Sequence, residues 1–325
     1  MKTIRMSTAS FGALFLIAAG IATAHPEHDS KSPIPISFEP SIVGHIGLDG
    51  GLNFAKEVDG NQNFTDKASV PFSGLNLSIT LPKRNNFLMT VDGDFRWDGF
   101  KNSGDFTDNE DPFWQYNVGF HVLKQSNDDS RAGVFVNYGA TQNQGDVHTD
   151  DNERAKRPNY DVLMGGFEAH HFLYDDLMLY TQVGYGQKLR EGDSGGNQKE
   201  GYAGGLVSRW GATYFISETS SFNVDLEFST TYQYIDSSDP GRFFGTTLTY
   251  KTQPWEDSPM IMSLFGRMDH ISSTDEGDSV EEWQLGFGMK YYYGAGSQME
   301  AARKGASLGM PRLPTRASAW TEWID

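Results

Sequence analysis

The chain has 325 residues, with 43 acidic against 26 basic, a formal net charge of −17 and no cysteine. That balance excludes a general nucleic-acid binder, which needs a basic face to neutralise phosphates. The missing cysteine excludes a disulfide framework and a lipid-modified N-terminal cysteine. Thirty-six glycines and 13% aromatic residues point to β structure, without separating a membrane barrel from a soluble sandwich or propeller.

The only continuous apolar run, Phe11 to Ile21, follows Lys2 and Arg5 and ends in Ala22-Thr23-Ala24. A charged start, a short apolar centre and a small-x-small site predict a secretory signal over 1–24, cleaved after Ala24. The run is too short to span a bilayer as a helix. Removing Lys2 and Arg5 leaves 24 basic residues against 43 acidic, a net charge of −19. Residues 25–40, rich in proline and charge, are expected to form a periplasmic N-terminal leader. His25-Pro26-Glu27-His28 would chelate a soft metal only weakly, and a solvated tail is the simpler reading. No cofactor and no metal is expected.

From residue 41 to 293 the pattern changes to a period of two. Over 87–97, Phe87, Met89, Val91, Gly93, Phe95 and Trp97 fall on one face; Leu88, Thr90, Asp92, Asp94 and Arg96 fall on the other. Over 222–234, Phe222, Val224, Leu226, Phe228, Thr230, Tyr232 and Tyr234 alternate with Asn223, Asp225, Glu227, Ser229, Thr231 and Gln233. A helix cannot produce that period. The same test predicts strands near 41–54, 70–81, 113–123, 131–142, 160–172, 177–189, 201–216, 242–252, 260–271 and 281–293. In 160–172 the outward set is Leu163, Gly165, Phe167, Ala169 and His171, which turns Glu168 and His170 inward; a slip of one residue would exchange the faces.

The connections alternate long and short. Long ones fall near 55–69, 98–112, 143–159, 190–200, 235–241 and 272–280. Short ones include Pro82–Asn86, Lys124–Ser130, Tyr174–Asp176, Ser217–Ser220 and Gln253–Pro259. Barrels of the outer membrane have short periplasmic turns and longer external loops. The expected fold is therefore all-β: a transmembrane up-and-down antiparallel β-barrel of twelve strands over 41–293, with both termini in the periplasm. Two aromatic groups agree with two membrane interfaces: Trp97, Trp114, Tyr116, Tyr138, Tyr202, Tyr232, Tyr234 and Trp283 near the external ends; Phe87, Phe120, Tyr214, Phe222, Tyr250, Tyr291 and Tyr293 near the periplasmic ends. Residues 294–325 are expected as a partly ordered periplasmic C-terminal tail with a helical start at Gln298 to Arg303. Plugging the barrel or meeting a periplasmic partner are the other readings of that tail.

Across 41–293 these features resemble the porin-like outer-membrane proteins as a class. The resemblance implies an integral protein of a Gram-negative outer membrane. Its partners would be outer-membrane lipid and lipopolysaccharide, the barrel-assembly machinery, and small polar solutes. Twelve strands are also similar to the translocator barrels of autotransporters, but the stretch before the first strand has no room for a passenger, and nothing before Pro40 reads as a pore-threading helix. Gln284-Leu285-Gly286-Phe287-Gly288-Met289-Lys290-Tyr291 resembles the assembly signal of a last barrel strand. In that class the signal usually ends the chain, whereas Gly294 to Asp325 follow here.

Inward positions carry both signs of charge. The lumen-lining candidates are Asp92, Asp94, Arg96, Arg131, Arg209, Asp225, Glu227, Arg267 and Asp269, with His45, Asp49, Lys188, Glu282 and Lys290 on the same alternation. Charges segregated across the lumen would line a water-filled path. Charges paired across it would close the barrel, and buried unpaired charge is too costly for a third arrangement. Acidic loops at 105–111, 146–153 and 275–278 would favour cations and neutral solutes over anions. A solvated acidic loop is the preferred reading of each; loose divalent-cation binding or a place among cation-bridged lipopolysaccharide is the lesser one, and none has an EF-hand or nonapeptide spacing. The leading expectation is a channel for passive diffusion of small hydrophilic solutes. A closed structural or adhesive barrel is the alternative. A lipid-modifying hydrolase is a third reading, resting on two features. His121 with Ser126-Asn127 loosely resembles outer-membrane phospholipase A, although the spacing differs and His121 alternates inward. Glu168 beside His170 on one strand would supply a base and its orienter. No catalytic residue is assigned.

Overall fold

The computed structural model describes residues 42–58, 64–98, 113–143, 146–148, 154–156, 160–190, 203–233, 240–255, 258–272 and 279–305, and structural statements below concern these residues. The predicted signal, the leader, most of the long connections and residues 306–325 lie outside them.

The strands are β1 (Val43–Val58), β2 (Phe64–Thr80), β3 (Phe87–Asp98), β4 (Phe113–Gln125), β5 (Ser130–Asn143), β6 (Asp146–His148), β7 (Arg154–Lys156), β8 (Tyr160–Tyr174), β9 (Leu177–Arg190), β10 (Ala203–Ser217), β11 (Ser220–Gln233), β12 (Pro240–Thr252), β13 (Met260–Ser272) and β14 (Ser279–Tyr293). β6 and β7 form a separate two-stranded hairpin between β5 and β8; the other twelve close a barrel in which each strand pairs with its sequence neighbours and β1 with β14. All pairs are antiparallel. The seam runs from Gly44 opposite Tyr293 to Val58 opposite Ser279, so no edge is left unpaired.

Two connections differ from expectation. In place of the long loop expected at 55–69, β1 continues to Val58 and β2 begins at Phe64, the two paired with one register shift between Lys56 and Val58. Within 143–159 the β6–β7 hairpin replaces part of the loop. The sequence alternation that marks the strands stops in these stretches, but antiparallel backbone pairing continues because it still satisfies both strands.

The short connections follow local chemistry. At the β2–β3 turn, Asn85 and Asn86 adopt φ of 51° and 66°, and Arg84 and Phe87 exchange both backbone hydrogen bonds. Two successive left-handed residues match the twist of the flanking strands, and asparagine tolerates that region. The turns at Asp175-Asp176 and Glu218-Thr219 contain no positive φ. Each is instead accompanied by a bulge, at Phe172/Tyr174 and Phe215/Ser217, which supplies the extra twist.

The faces place oil outside and polarity inside. Leu48, Leu163, Phe167, Trp210, Leu264 and Leu285 are exposed on the outer surface, Phe167 at 74%. Asn53, Asn137, Glu282 and Gln284 are among the most deeply buried side chains. Such an inversion suits a barrel whose outer belt meets acyl chains. Toward the ends of the strands that carry the long connections, Trp114 packs against Phe95 and Trp97, with ring centroids 5.1 and 6.3 Å apart, and Tyr116 lies 6.4 Å from Tyr138.

After β14 the chain turns at Gly294, φ 77°; a Cβ there would collide with the carbonyl of Ile42. It then runs back inside the barrel at the end that carries the short turns. Helix α1 (Gln298–Arg303) begins at Ser297, whose hydroxyl accepts the Glu300 N–H. Ala302 and Met299 pack on Phe172, Met178, Tyr180 and Phe215, while Ala301 packs on Val43. The stretch read as the start of a periplasmic tail is thus seated within the turn end of the barrel.

A charged lumen floored by a helix

Four groups of side chains line the interior. On β10 to β13, Arg209 pairs with Asp225 at 2.6 Å and approaches Glu227 at 3.9 Å. Arg267 pairs with Glu227 at 2.6 Å and with Asp269 at 2.8 Å. β12 lies between β11 and β13, so Arg267 must cross it. It passes Gly245, where a Cβ would stand 2.8 Å from Nη2, and donates Nη1 to Thr247 Oγ1 at 3.0 Å. Tyr180 donates to Asp225, and Asn223 Nδ2 donates to Tyr180 and to Thr213. The second group is on β3, β4, β8 and β9: His121 lies between Asp92 (3.2 Å) and Glu168 (2.8 Å), and Gln182 donates to Glu168 at 2.8 Å.

The third group spans the seam. Arg96 donates to Asn53 and Gln284 and stacks on the Phe72 ring at 3.8 Å. The fourth is the floor. Arg131 donates Nε to His170 Nδ1 at 2.9 Å, Nη2 to the Ala302 carbonyl at 2.7 Å and Nη1 to the Arg303 carbonyl at 3.3 Å. These carbonyls are at the end of α1, where a cation is well placed; that of Ala302 also accepts the Gly305 N–H at 3.2 Å. Thr80 donates to the Gly305 carbonyl, Ser221 to Gln298 Oε1, and Gln298 Nε2 to the Thr219 carbonyl. Arg303 reaches outward to Asp129 and Asp175.

Above this floor lies a cavity of about 400 Å³. Asp92, Asp94, Arg96, Arg209, Asp225, Glu227 and Arg267 line it, together with Asp49, Lys251, Lys290, Tyr292 and, from α1, Gln298, Ala301 and Ala302. Of the remaining candidates, Asp269 stands behind Arg267, and Arg131 sits beneath the cavity against α1. His45 and Lys290 also face inward, 3.3 Å apart; the Lys188 side chain lies outside the described residues. Lys251 and Tyr180 were not singled out from the sequence. Continuing the alternation from Phe243 would have found Lys251, but nothing local marks Tyr180, whose partners lie on β11.

The base-and-orienter pair read from Glu168 and His170 is not formed. Successive inward residues of one strand are separated along it, and each finds a partner on a nearby strand of the same wall instead: His121 on β4 for Glu168, and Arg131, directly opposite on β5, for His170. Ser126 lies in an exposed turn while His121 is buried between two carboxylates. On the outer face, the Ser130 hydroxyl lies 2.8 Å from His171 Nδ1, as expected of directly opposed cross-strand neighbours.

The sequence matches no protein-family model and no curated protein. Among solved structures, the chain is similar to the COG4313 outer membrane channel of Pseudomonas putida F1, with 11% identity and a TM-score of 0.55 over 83% of this chain and 100% of that one. It is more distantly similar to the translocator domain of the autotransporter NalP of Neisseria meningitidis, with 10% identity and a TM-score of 0.44 over 86% and 95%. The P. putida toluene transporter TodX aligns with 10% identity and a TM-score of 0.44 over 81% and 92%. At such identities the first likeness establishes the fold, and the other two carry no argument.

Proposed function

We propose that this protein is an integral outer-membrane channel for passive diffusion of small hydrophilic solutes, with the short turns, both termini and α1 on the periplasmic side. The observation that carries this reading is the charged cavity of about 400 Å³ inside a barrel with an apolar outer belt. A barrel closed for purely structural purposes gains nothing from keeping lysines and carboxylates in a void, because uncompensated charge away from water is costly. Water and solute are what such a lining serves. Within the lumen the path narrows where α1 lies across the turn end, and the solute passes beside the helix or with the helix displaced. The lipid, lipopolysaccharide and assembly-machinery contacts follow from the same placement.

One observation favours the closed barrel. The segment 294–305 is held by Arg131, Thr80, Ser221 and Gln253, a set of bonds that a loosely dangling tail would not make. Planar-bilayer recordings on the refolded chain lacking residues 1–24 separate the readings. The channel reading expects small discrete conductance steps from that chain and larger ones after deletion of 295–325. Absence of steps from both proteins would establish the closed barrel.

A further inference from the structure

The ion pairs of the lumen leave four cavity-lining charges over. Lys251, Lys290, Asp49 and Asp94 line the cavity, yet none of them makes an ion pair among the described residues. Lys290 stands 3.3 Å from the imidazole of His45, with Asp49 the strongest influence of opposite sign, and Asp94 accepts from the neutral amide of Asn117 at 3.0 and 2.9 Å, with Arg96 acting on it from farther off. Strand register shows how they are arranged. Lys251 on β12 is opposite Ser263, Ser263 opposite Gly288, and Gly288 opposite Asp49 on β1. Lys290 on β14 is opposite Gly47, Gly47 opposite Asn76, and Asn76 opposite Asp94 on β3.

Each row therefore has a lysine at one end, an aspartate at the other, and small or neutral residues between. Three strand-to-strand steps separate the ends by roughly 14 Å along the wall. The curvature of the barrel and the inward reach of the lysine stem shorten that gap toward the length of a small molecule. The glycines let neighbouring side chains lie flat along the wall: the stem of Lys290 lies over Gly47, where a Cβ would stand 2.6 Å from it, and the Ser263 hydroxyl lies over Gly288, where a Cβ would also stand 2.6 Å away. The two rows meet at the β14–β1 junction, where Lys290 and Asp49 are diagonal neighbours with no ion pair between them, so the two lysines lie to one side of that junction and the two aspartates to the other.

We propose that the lumen cavity binds a small organic zwitterion, its carboxylate on Lys251 and Lys290 and its ammonium on Asp49 and Asp94. This names a solute class for the channel proposed above and rests on that reading for its physiological sense, although binding itself does not require conduction. The two rows of like orientation favour a molecule carrying both charges over one carrying either alone. An anion meets the aspartates unpaired, and a cation meets the lysines.

Calorimetric titration of the full mature chain in detergent tests this with glycine, β-alanine, 4-aminobutyrate and 6-aminohexanoate. Butyrate and butylammonium serve as single-charge controls. At least one amino acid is expected to bind about tenfold or more tighter than both controls, a charge-assisted contact at each end supplying the difference. The double variant Lys251→Gln with Lys290→Gln should lower that affinity to the level of butylammonium. Asp49→Asn with Asp94→Asn should lower it to the level of butyrate. Correct folding of each variant is read from its heat-dependent mobility on a gel. If no amino acid exceeds its controls, or if the preference survives both double variants, the proposal is overturned. A preference in a protein without conductance steps would retain the site and remove the channel; steps without a preference would do the reverse.

Discussion

Arg131 shows how one inward residue can do two jobs when the chain returns into its own barrel. Its side chain is buried at 6% exposure, and its fork holds His170 on one side and two carbonyls of α1 on the other. Arg131→Met should remove the side-chain donors from both carbonyls, leaving that of Ala302 with the Gly305 N–H, and so weaken the seating of α1 by about 1–3 kcal/mol. The expected readouts are faster amide exchange over 298–305 and larger conductance steps. Arg131→Lys should recover only part of the loss, since an ammonium cannot reproduce the planar fork. From the sequence, Arg131 could be assigned to the inner face by alternation, but its partners could not. Two of them lie 171 and 172 residues away on a segment with no strand period.

At the scale of the element, α1 is too short to hold itself together and depends on its ends. Ser297 and Glu300 form a reciprocal cap: the serine hydroxyl accepts the Glu300 N–H at 3.1 Å, and the Glu300 carboxylate accepts the Gly296 N–H at 2.6 Å. The spacing Ser-x-x-Glu is visible in the sequence, and so was the helical start. Partial burial pushes the Glu300 carboxyl upward, but Lys304 and the Gly296 N–H outweigh it and hold the group below its usual value. A carboxyl with a lowered folded-state pKa stabilises the fold above its unfolded pKa, and that contribution is lost as pH falls through the folded value. The ratio of pepsin cleavage rates within the C-terminal segment, Glu300→Gln over wild type, cancels the protease's own pH dependence; it should exceed one near pH 5 and fall toward one below about pH 4. A ratio that stays the same across that range would contradict this account of the cap.

For the whole molecule, the two faces of the wall obey opposite rules, and adjacent residues can be used to show it. Phe167 is 74% exposed on the outer surface, and Glu168, the next residue, is buried at 3% against His121. Phe167→Arg should destabilise the barrel in lipid by about 2–4 kcal/mol if it lies near the bilayer midplane. Phe167→Leu should change it little. Urea titration of the protein refolded in vesicles reads both, and an arginine tolerated as well as leucine would mean that this face does not meet acyl chains. The same wall explains why the barrel was legible from one sequence. An apolar outer face and a polar, charged inner face impose a period of two on every strand, and the short turns fall together at one end of the barrel.

What the sequence determined by itself is whatever repeats locally: the alternation, the twelve strands, their faces, and the inward location of residues such as Asp92, Arg209 and Glu227. The outer and inner environments act on each strand separately, so each carries its own record. Only the tertiary structure decided which inward charges meet. Arg267 reaches Glu227 across β12 because Gly245 leaves the way open, and His121 takes Glu168 away from His170. The return of α1 into the turn end was likewise invisible, because its partners are scattered over strands distant in the chain and joined to it only when the barrel closes. Pairing depends on reach across a curved wall, a distance that no local pattern encodes.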